Sequence, residues 1–204
     1  MTRVQFLFDF GSPNAYLSHK VIPEIEARTG AKFEYVPVLL GGVFKLTNNK
    51  PPMVAFGGIK NKMEYEQLEM RRFIARHKLS KFQFNPNFPV NTLAIMRTAV
   101  AAQAAGELRR YVDAVFGFMW ETGRKMDDPE TIRASLAEAG LDADRLIAAA
   151  QTLEIKDQLM RSTSEAVDRG VFGSPSFFVG DELFFGKDRL SDVEEEIVRA
   201  KAEH

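Results

Sequence analysis

The spacing of hydrophobic residues predicts strands at both ends of the chain and helices between them. The run from Val4 to Phe8 is short and apolar, with β-branched and aromatic residues, as in a buried strand. Leu17, Val21 and Ile25 then recur at four-residue intervals, as on the buried face of a helix. The stretch 32–40 carries bulky residues in a second strand-like run. A β-α-β unit of this length favours a parallel strand pair.

The middle of the chain is dominated by helical periodicity. Residues 41–62 precede it, and this stretch is rich in Gly, Pro, Asn and Lys with little periodicity, which predicts a long loop. From residue 63 to residue 169 the pattern predicts a succession of helices. Trp120 belongs to a very apolar helix and is expected in the core, whereas His19 is expected on an exposed helix face.

The last part of the chain returns to a strand pattern. The apolar run 177–179, the turn 180–182 and the run 183–185 predict a hairpin, and Ser191 is expected to cap a final helix. The predicted order is therefore β-α-β, then helices, then β-β-α. This is an α/β, thioredoxin-like fold with an inserted all-helical domain, with the thioredoxin-like domain at 1–44 plus 165–204 and the insert at 45–164.

The composition is typical of a globular protein and does not favour a nucleic-acid-binding or membrane protein. The chain has 204 residues, 45% of them hydrophobic, and a formal net charge of −1, as in an ordinary globular protein. It has no basic stripe, so we expect no nucleic-acid partner. No apolar run approaches the ~20 residues that span a bilayer, and the first residues lack the features of a signal peptide. We expect a cytoplasmic protein with no membrane partner.

The most informative motif is the start of the first helix. Ser12 followed by Pro13 is a capping hydroxyl and a proline at the first helical position. Redox-active thioredoxin-like proteins carry a cysteine at this point, because a helix N-terminus lowers the pKa of a thiol. This chain contains no cysteine, which excludes disulfide exchange by the chain itself. Any thiolate at this site would therefore come from a ligand.

Four segments in order carry a resemblance to a known family; they are 8–17, 49–52, 170–175 and 184–190. Together they resemble the kappa-class glutathione transferases and 2-hydroxychromene-2-carboxylate isomerases, in the DsbA-like branch of the thioredoxin superfamily. The resemblance implies a glutathione-dependent isomerase, acting as a homodimer on a small aromatic substrate from bacterial breakdown of naphthalene-like compounds. A kappa-like glutathione transferase and a non-catalytic thiol- or peptide-binding module are the alternatives.

The same resemblance implies a site for glutathione. Ser12 would be the catalytic residue, donating its hydroxyl proton to the glutathione sulfur. The main chain of Ser174, before a cis Pro175, would hold the cysteinyl part. For Ser12 alone, a purely structural cap is the alternative. Relatives often have an aliphatic residue where this chain has Ser174.

The resemblance also implies residues for the two ends of glutathione, which is a tripeptide. The resemblance implies that Asp188 meets the γ-glutamyl ammonium, with Lys187 at the γ-glutamyl carboxylate. Asn49 and Lys60 would hold the tripeptide backbone or the glycyl carboxylate. The plain alternatives are a dipole-matching acid, a turn-forming asparagine and solvated lysines. The histidine spacing does not predict a metal site.

Overall fold

The computed structural model describes residues 2–202, and its centre is a four-stranded mixed sheet. The strands are β1 (Val4–Phe8), β2 (Phe33–Pro37), β3 (Ser176–Val179) and β4 (Glu182–Phe185), in the order β2-β1-β3-β4. β1 runs parallel to β2 and antiparallel to β3, which pairs antiparallel with β4. The predicted parallel pair and terminal hairpin are confirmed.

The central strand β1 is buried over its whole length. Its side chains alternate between the two faces of the sheet. Phe6 lies opposite Tyr35 and Phe177 and contacts both rings, at centroid distances of 5.0 and 5.4 Å. Leu7 belongs to a second apolar cluster that includes Phe178. The sheet therefore needs a helical layer on each side.

Ten helices in the described part of the chain supply these layers. They are α1 (Pro13–Thr29), α2 (Leu40–Thr47), α3 (Pro52–Phe56), α4 (Lys62–Arg76), α5 (Leu93–Ala104), α6 (Leu108–Trp120), α7 (Pro129–Glu138), α8 (Ala143–Ala149), α9 (Leu153–Asp168) and α10 (Leu190–Ala202). α1 and α10 contribute to the cluster around Phe6, whereas α2 and α9 contribute to the cluster around Leu7. The thioredoxin-like α/β fold with a run of helices between β2 and β3 is as predicted.

The predicted loop at 41–62 is wrong in part, because α2 occupies its first residues and α3 lies within it. The glycines in this stretch make α2 hard to predict from the sequence, since glycine has a low helix propensity. Close packing explains why one of these glycines, Gly42, is present. A Cβ at Gly42 would lie only 3.1 Å from the Thr163 Cγ2, so glycine allows α2 to approach α9 closely.

The prediction of an exposed His19 is also wrong, because the residue is 4% exposed. Its Nδ1 lies 2.9 Å from the Tyr35 hydroxyl and its Nε2 lies 3.1 Å from an Asp113 carboxylate oxygen. Its ring stacks on Phe116. The insert, through α6, covers a polar face of α1 that local periodicity assigns to solvent. Burial lowers the pKa of His19, and the Asp113 carboxylate opposes this shift.

A smaller correction concerns the last helix. Ser191 was expected to cap it, but α10 begins at Leu190 and is preceded by a single 3-10 turn, Lys187–Arg189. Ser191 therefore lies inside the helix.

The helical insert and the sheet share one hydrophobic core. Phe116 of α6 packs against Phe8 and Phe10, at centroid distances of 5.8 and 4.8 Å. Trp120 is fully buried, as expected. The predicted boundary at 164/165 falls within α9, and the division into two domains stays a prediction. Within residues 2–202, no helix is both long and apolar enough to cross a membrane.

Candidate functional site

The candidate site begins at Ser12, the N-cap of α1. Its backbone is extended, and its Oγ accepts a hydrogen bond from the Ala15 N–H at 3.2 Å. Pro13 follows at the first helical position, so the local sequence alone accounts for where α1 begins. The residue is only 5% exposed. A buried hydroxyl is thereby fixed at the positive end of a helix dipole.

Ser12 takes part in a closed ring of hydrogen bonds with Asp9 and Ser174. The Ser12 hydroxyl donates to the Ser174 carbonyl at 2.9 Å. The Asp9 N–H donates to the Ser174 Oγ at 3.2 Å, and the Ser12 N–H donates to the Asp9 carbonyl at 3.1 Å. The Ser174–Pro175 peptide bond is cis. The ring joins residues from the two ends of the chain and so brings the two predicted site residues Ser12 and Ser174 together.

The Asp9 carboxylate, to which no pattern in the sequence assigns a role, organises the loop before Ser12. It accepts hydrogen bonds from the Gly11 and Leu40 N–H groups, each at 2.8 Å, and from the Thr92 side chain. Asp9 is 1% exposed, and burial raises the pKa of its carboxyl while these hydrogen bonds oppose the rise. Its position directly after a buried strand and before Gly-Ser is the signal that could have identified it.

Close packing keeps this loop small. A Cβ at Gly11 would lie 3.2 Å from the Thr92 Cγ2 and 3.3 Å from the Asp9 Oδ1. On the other side, the Trp120 indole N–H donates to the Phe10 carbonyl at 2.8 Å. The helical insert therefore holds the loop that carries Ser12.

Lys187 and Asp188 lie in the 3-10 turn before α10 and form an ion pair, with Nζ and Oδ1 2.6 Å apart. The Lys187 side chain is 5% exposed, whereas that of Asp188 is 59% exposed. The Lys187 ammonium also lies 5.1 Å from the centre of the Phe73 ring. The structure thus brings these two predicted residues together. Lys187 supplies a buried cation, and Asp188 supplies a carboxylate that solvent can reach. This turn also packs against α1.

The other two predicted residues lie in more exposed segments. The Asn49 Nδ2 donates to the Phe172 carbonyl at 2.8 Å, which links the end of α2 to the segment that leads into Ser174. Lys60 is exposed in the turn between α3 and α4, and its ammonium has no partner among residues 2–202. The structure therefore connects Asn49 to the Ser174 segment but does not connect Lys60 to any other predicted site residue.

Comparison with known proteins gives the family. Residues 3–198 match the model of the DsbA-like thioredoxin domain. The chain belongs to the DsbA-like thioredoxin-domain family. In this chain the N-cap of the first helix is Ser12, and the sequence contains no cysteine.

Individual relatives agree with the resemblance found in the sequence. The chain is 28% identical over 193 residues to a 2-hydroxychromene-2-carboxylate isomerase from Sphingobium xenophagum, covering 94% of this chain and 95% of that one. It is 24% identical to human glutathione S-transferase kappa 1, covering 92% and 87%. A solved structure of a 2-hydroxychromene-2-carboxylate isomerase superposes with a TM-score of 0.83 at 24% identity, covering 98% and 96%. The predicted family is confirmed.

One cavity of the described residues lies away from this site. A cavity of about 270 Å³ opens between the sheet and helices α5 and α9, and its lining includes Gln5, Glu34, Arg161 and Arg169. It contains none of the predicted site residues. No group of His, Cys, Asp and Glu side chains within residues 2–202 is arranged to hold a metal ion.

Proposed function

We propose that this DsbA-like protein is a glutathione-dependent isomerase of 2-hydroxychromene-2-carboxylate or a related aromatic intermediate. One observation carries the proposal: in a chain without cysteine, a buried serine hydroxyl occupies the N-terminus of α1 and contacts the main chain before a cis proline. The names of the relatives support the same chemistry.

The residues present fit glutathione. The Oδ1 of Asn14, in the first turn of α1, is buried and has no hydrogen-bond partner among residues 2–202. A buried acceptor without a hydrogen bond lowers the stability of the fold, and a donor group of a ligand would satisfy it. The Lys187–Asp188 pair offers one charge of each sign, which complements the zwitterionic γ-glutamyl end of the tripeptide. Asn49 and Lys60 are proposed at the tripeptide backbone or at the opposite, glycyl end.

Bound glutathione would supply a sulfur nucleophile that adds to a conjugated carbon and turns a double bond into a single bond that can rotate, after which elimination would restore the double bond and free the thiolate. The role of the protein is to favour the thiolate and to fix its position. Ser12 offers a hydrogen-bond donor, and the N-terminus of α1 offers the positive end of the helix dipole. Charge-assisted hydrogen bonds of this kind are stronger than those between neutral groups.

An aromatic substrate would find an apolar surface beside Ser174. The rings of Phe172 and Phe185 contact each other at a centroid distance of 4.5 Å, and each residue is 43% exposed. Phe172 and Ser174 are two residues apart, and the Gly186 N–H donates to the Pro175 carbonyl. We propose this ring pair as part of the substrate-binding surface.

Glutathione binding is the first test, measured as a thermal shift. The proposed contacts come from distant segments that an unfolded chain cannot present together. At about 100 times Kd, binding stabilises the fold by about 2.7 kcal/mol. For a chain of this length we expect Tm to rise by roughly 5–11 °C. An unchanged Tm across millimolar glutathione would reject the proposed function in favour of a module that does not use glutathione.

A kappa-like glutathione transferase is the second candidate, because relatives with that name cover most of the chain. The two activities use the same thiolate and differ in the fate of glutathione. An isomerase leaves the total of free glutathione unchanged after many turnovers, whereas a transferase consumes one molecule per conjugate. Quantifying glutathione alongside substrate loss separates them.

A further inference from the structure

The hydroxyl of Ser12 is already engaged in the structure. It accepts from the Ala15 N–H and donates its proton to the Ser174 carbonyl at 2.9 Å. A serine hydroxyl carries a single proton. Ser12 therefore cannot donate fully to a ligand sulfur while it donates to Ser174, and the role proposed above requires the hydroxyl to turn away from the carbonyl.

Turning the hydroxyl has a cost at Ser174. This residue is 9% exposed, so its carbonyl would lose its donor at a position that little water reaches. The carbonyl cannot easily follow the hydroxyl, because the Asp9 N–H holds the Ser174 side chain and the Pro175 carbonyl accepts from the Gly186 N–H. The free energy that Ser12 gains by donating to the thiolate is therefore largely offset by the unsatisfied Ser174 carbonyl, unless another donor reaches that carbonyl.

We propose that the Ser174 carbonyl controls the Ser12 hydroxyl, so that Ser12 turns to the sulfur when the ligand places an N–H on that carbonyl. The inference rests on the proposed function and deepens it, because it states what switches the Ser12 hydroxyl in that same site: an amide N–H placed on the Ser174 carbonyl, as a peptidyl cysteine can place it. In a cysteine residue only two carbon atoms separate the amide nitrogen from the sulfur. The Ser12 Oγ and the Ser174 carbonyl oxygen are 2.9 Å apart, so the sulfur and the amide N–H of one cysteine residue can each meet one of these two oxygen atoms. Ser12 keeps its own proton throughout, and the proton of the thiol leaves to bulk water.

The test compares glutathione with the same tripeptide methylated on the cysteinyl amide nitrogen. Each ligand is first titrated by thermal shift to find its saturating concentration, and the pKa of the bound thiol is then measured from the ultraviolet absorbance of the thiolate. In the parent protein we expect N-methylation to lower the ratio of thiolate to thiol about tenfold, a rise of about one unit in the bound-thiol pKa. In Ser12→Ala the two ligands should have the same bound-thiol pKa.

Thr152→Ala is the matched control, since it removes a hydroxyl N-cap from α9. It should keep the difference between the ligands that the parent shows. Equal bound-thiol pKa values for both ligands in the parent would overturn the inference while leaving the glutathione site intact. Complete loss of binding on N-methylation would overturn it as well, because the inference gives the amide only about a tenfold effect. If glutathione itself does not bind, the proposed function fails first, and this is a separate outcome.

Discussion

The two parts of the candidate site differ in how they are held. The inner part, the ring of Asp9, Ser12 and Ser174, is buried, and its members bond to one another. The outer part, Asn49 and Lys60, is exposed and makes at most one contact outside its own segment. Preorganised buried groups influence both stability and chemistry. Exposed groups contribute mainly when a ligand is present.

The difference extends to the elements that carry each part. The inner ring is anchored by the core strand β1 and by the Trp120 contact from α6. The outer part borders α3, in which no residue is buried, and this region exposes Met53, Val54 and Ile59. We therefore expect substitutions in the two parts to separate into effects on folding and effects on ligand affinity, and the following predictions test that separation.

Asp9→Ala should have the largest effect. It leaves the Gly11 and Leu40 N–H groups without their acceptor and removes a partner of Thr92. At roughly 1–3 kcal/mol for each buried group left unsatisfied, we expect a loss of about 4 kcal/mol in the free energy of unfolding. Urea denaturation measures it, with Asp181→Ala as the exposed control. A loss no larger than that of the control would show that the carboxylate does not hold the inner part together.

Ser12→Ala should separate chemistry from folding within the inner part. The variant loses a helix cap and the donor to Ser174, about 1–2 kcal/mol of stability. Isomerase turnover should fall about 100-fold, as when a preorganised hydrogen-bond donor is removed from an active site. The measurement is kcat at saturating glutathione. Thr152→Ala should lose similar stability at normal kcat, and matching kcat values for the two variants would remove Ser12 from the chemistry.

The buried His19, which joins α1 to Tyr35 and Asp113, should make the free energy of unfolding depend on pH. Burial lowers the pKa of His19 in the folded state, so the unfolded chain, with a pKa of about 6.5, binds the proton more tightly. Stability is then present above about pH 6.5 and falls as the pH drops below it, by at most about 1.4 kcal/mol per pH unit. Urea denaturation between pH 7 and 5 should show a smaller dependence in His19→Gln.

His77→Gln is the comparison for that experiment. Its pKa is also lowered by burial, but the residue is only partly buried and lies at the end of α4. We expect a smaller change in the pH dependence than for His19→Gln. An unchanged pH dependence in His19→Gln would show that His19 is not the group that titrates.

Lys60→Ala should have the smallest effect on the protein alone. The side chain is exposed and has no partner within residues 2–202, so the free energy of unfolding should change by less than about 0.5 kcal/mol. The Kd for glutathione should rise several-fold at low salt and less at high salt, because exposed charges are screened. Isothermal titration with Lys81→Ala as control measures this. Equal Kd values for the two variants would remove Lys60 from the outer part.

Tertiary contacts override the local sequence pattern at each position where a prediction from the sequence is wrong. Two glycines near the start of the 41–62 stretch concealed α2, whose packing against α9 decides its conformation. His19 follows the polar spacing of α1, yet Tyr35 and Asp113 supply polar partners that make its burial possible. Asp9 was part of the quoted motif, but nothing in a linear pattern shows that Leu40 and Thr92 converge on its carboxylate.

The sequence by itself determined the succession β-α-β, helices, β-β-α along the chain, the start of α1 at Ser12-Pro13, the terminal hairpin and the family. These depend on local spacing, on capping chemistry and on motifs that can be recognised in one segment. Only the tertiary structure decided that the Ser12 proton is held by Ser174 and that Lys187 pairs with Asp188 below Phe73. Hydrogen bonds between residues 162 positions apart depend on how the sheet and the insert pack, which no local pattern encodes.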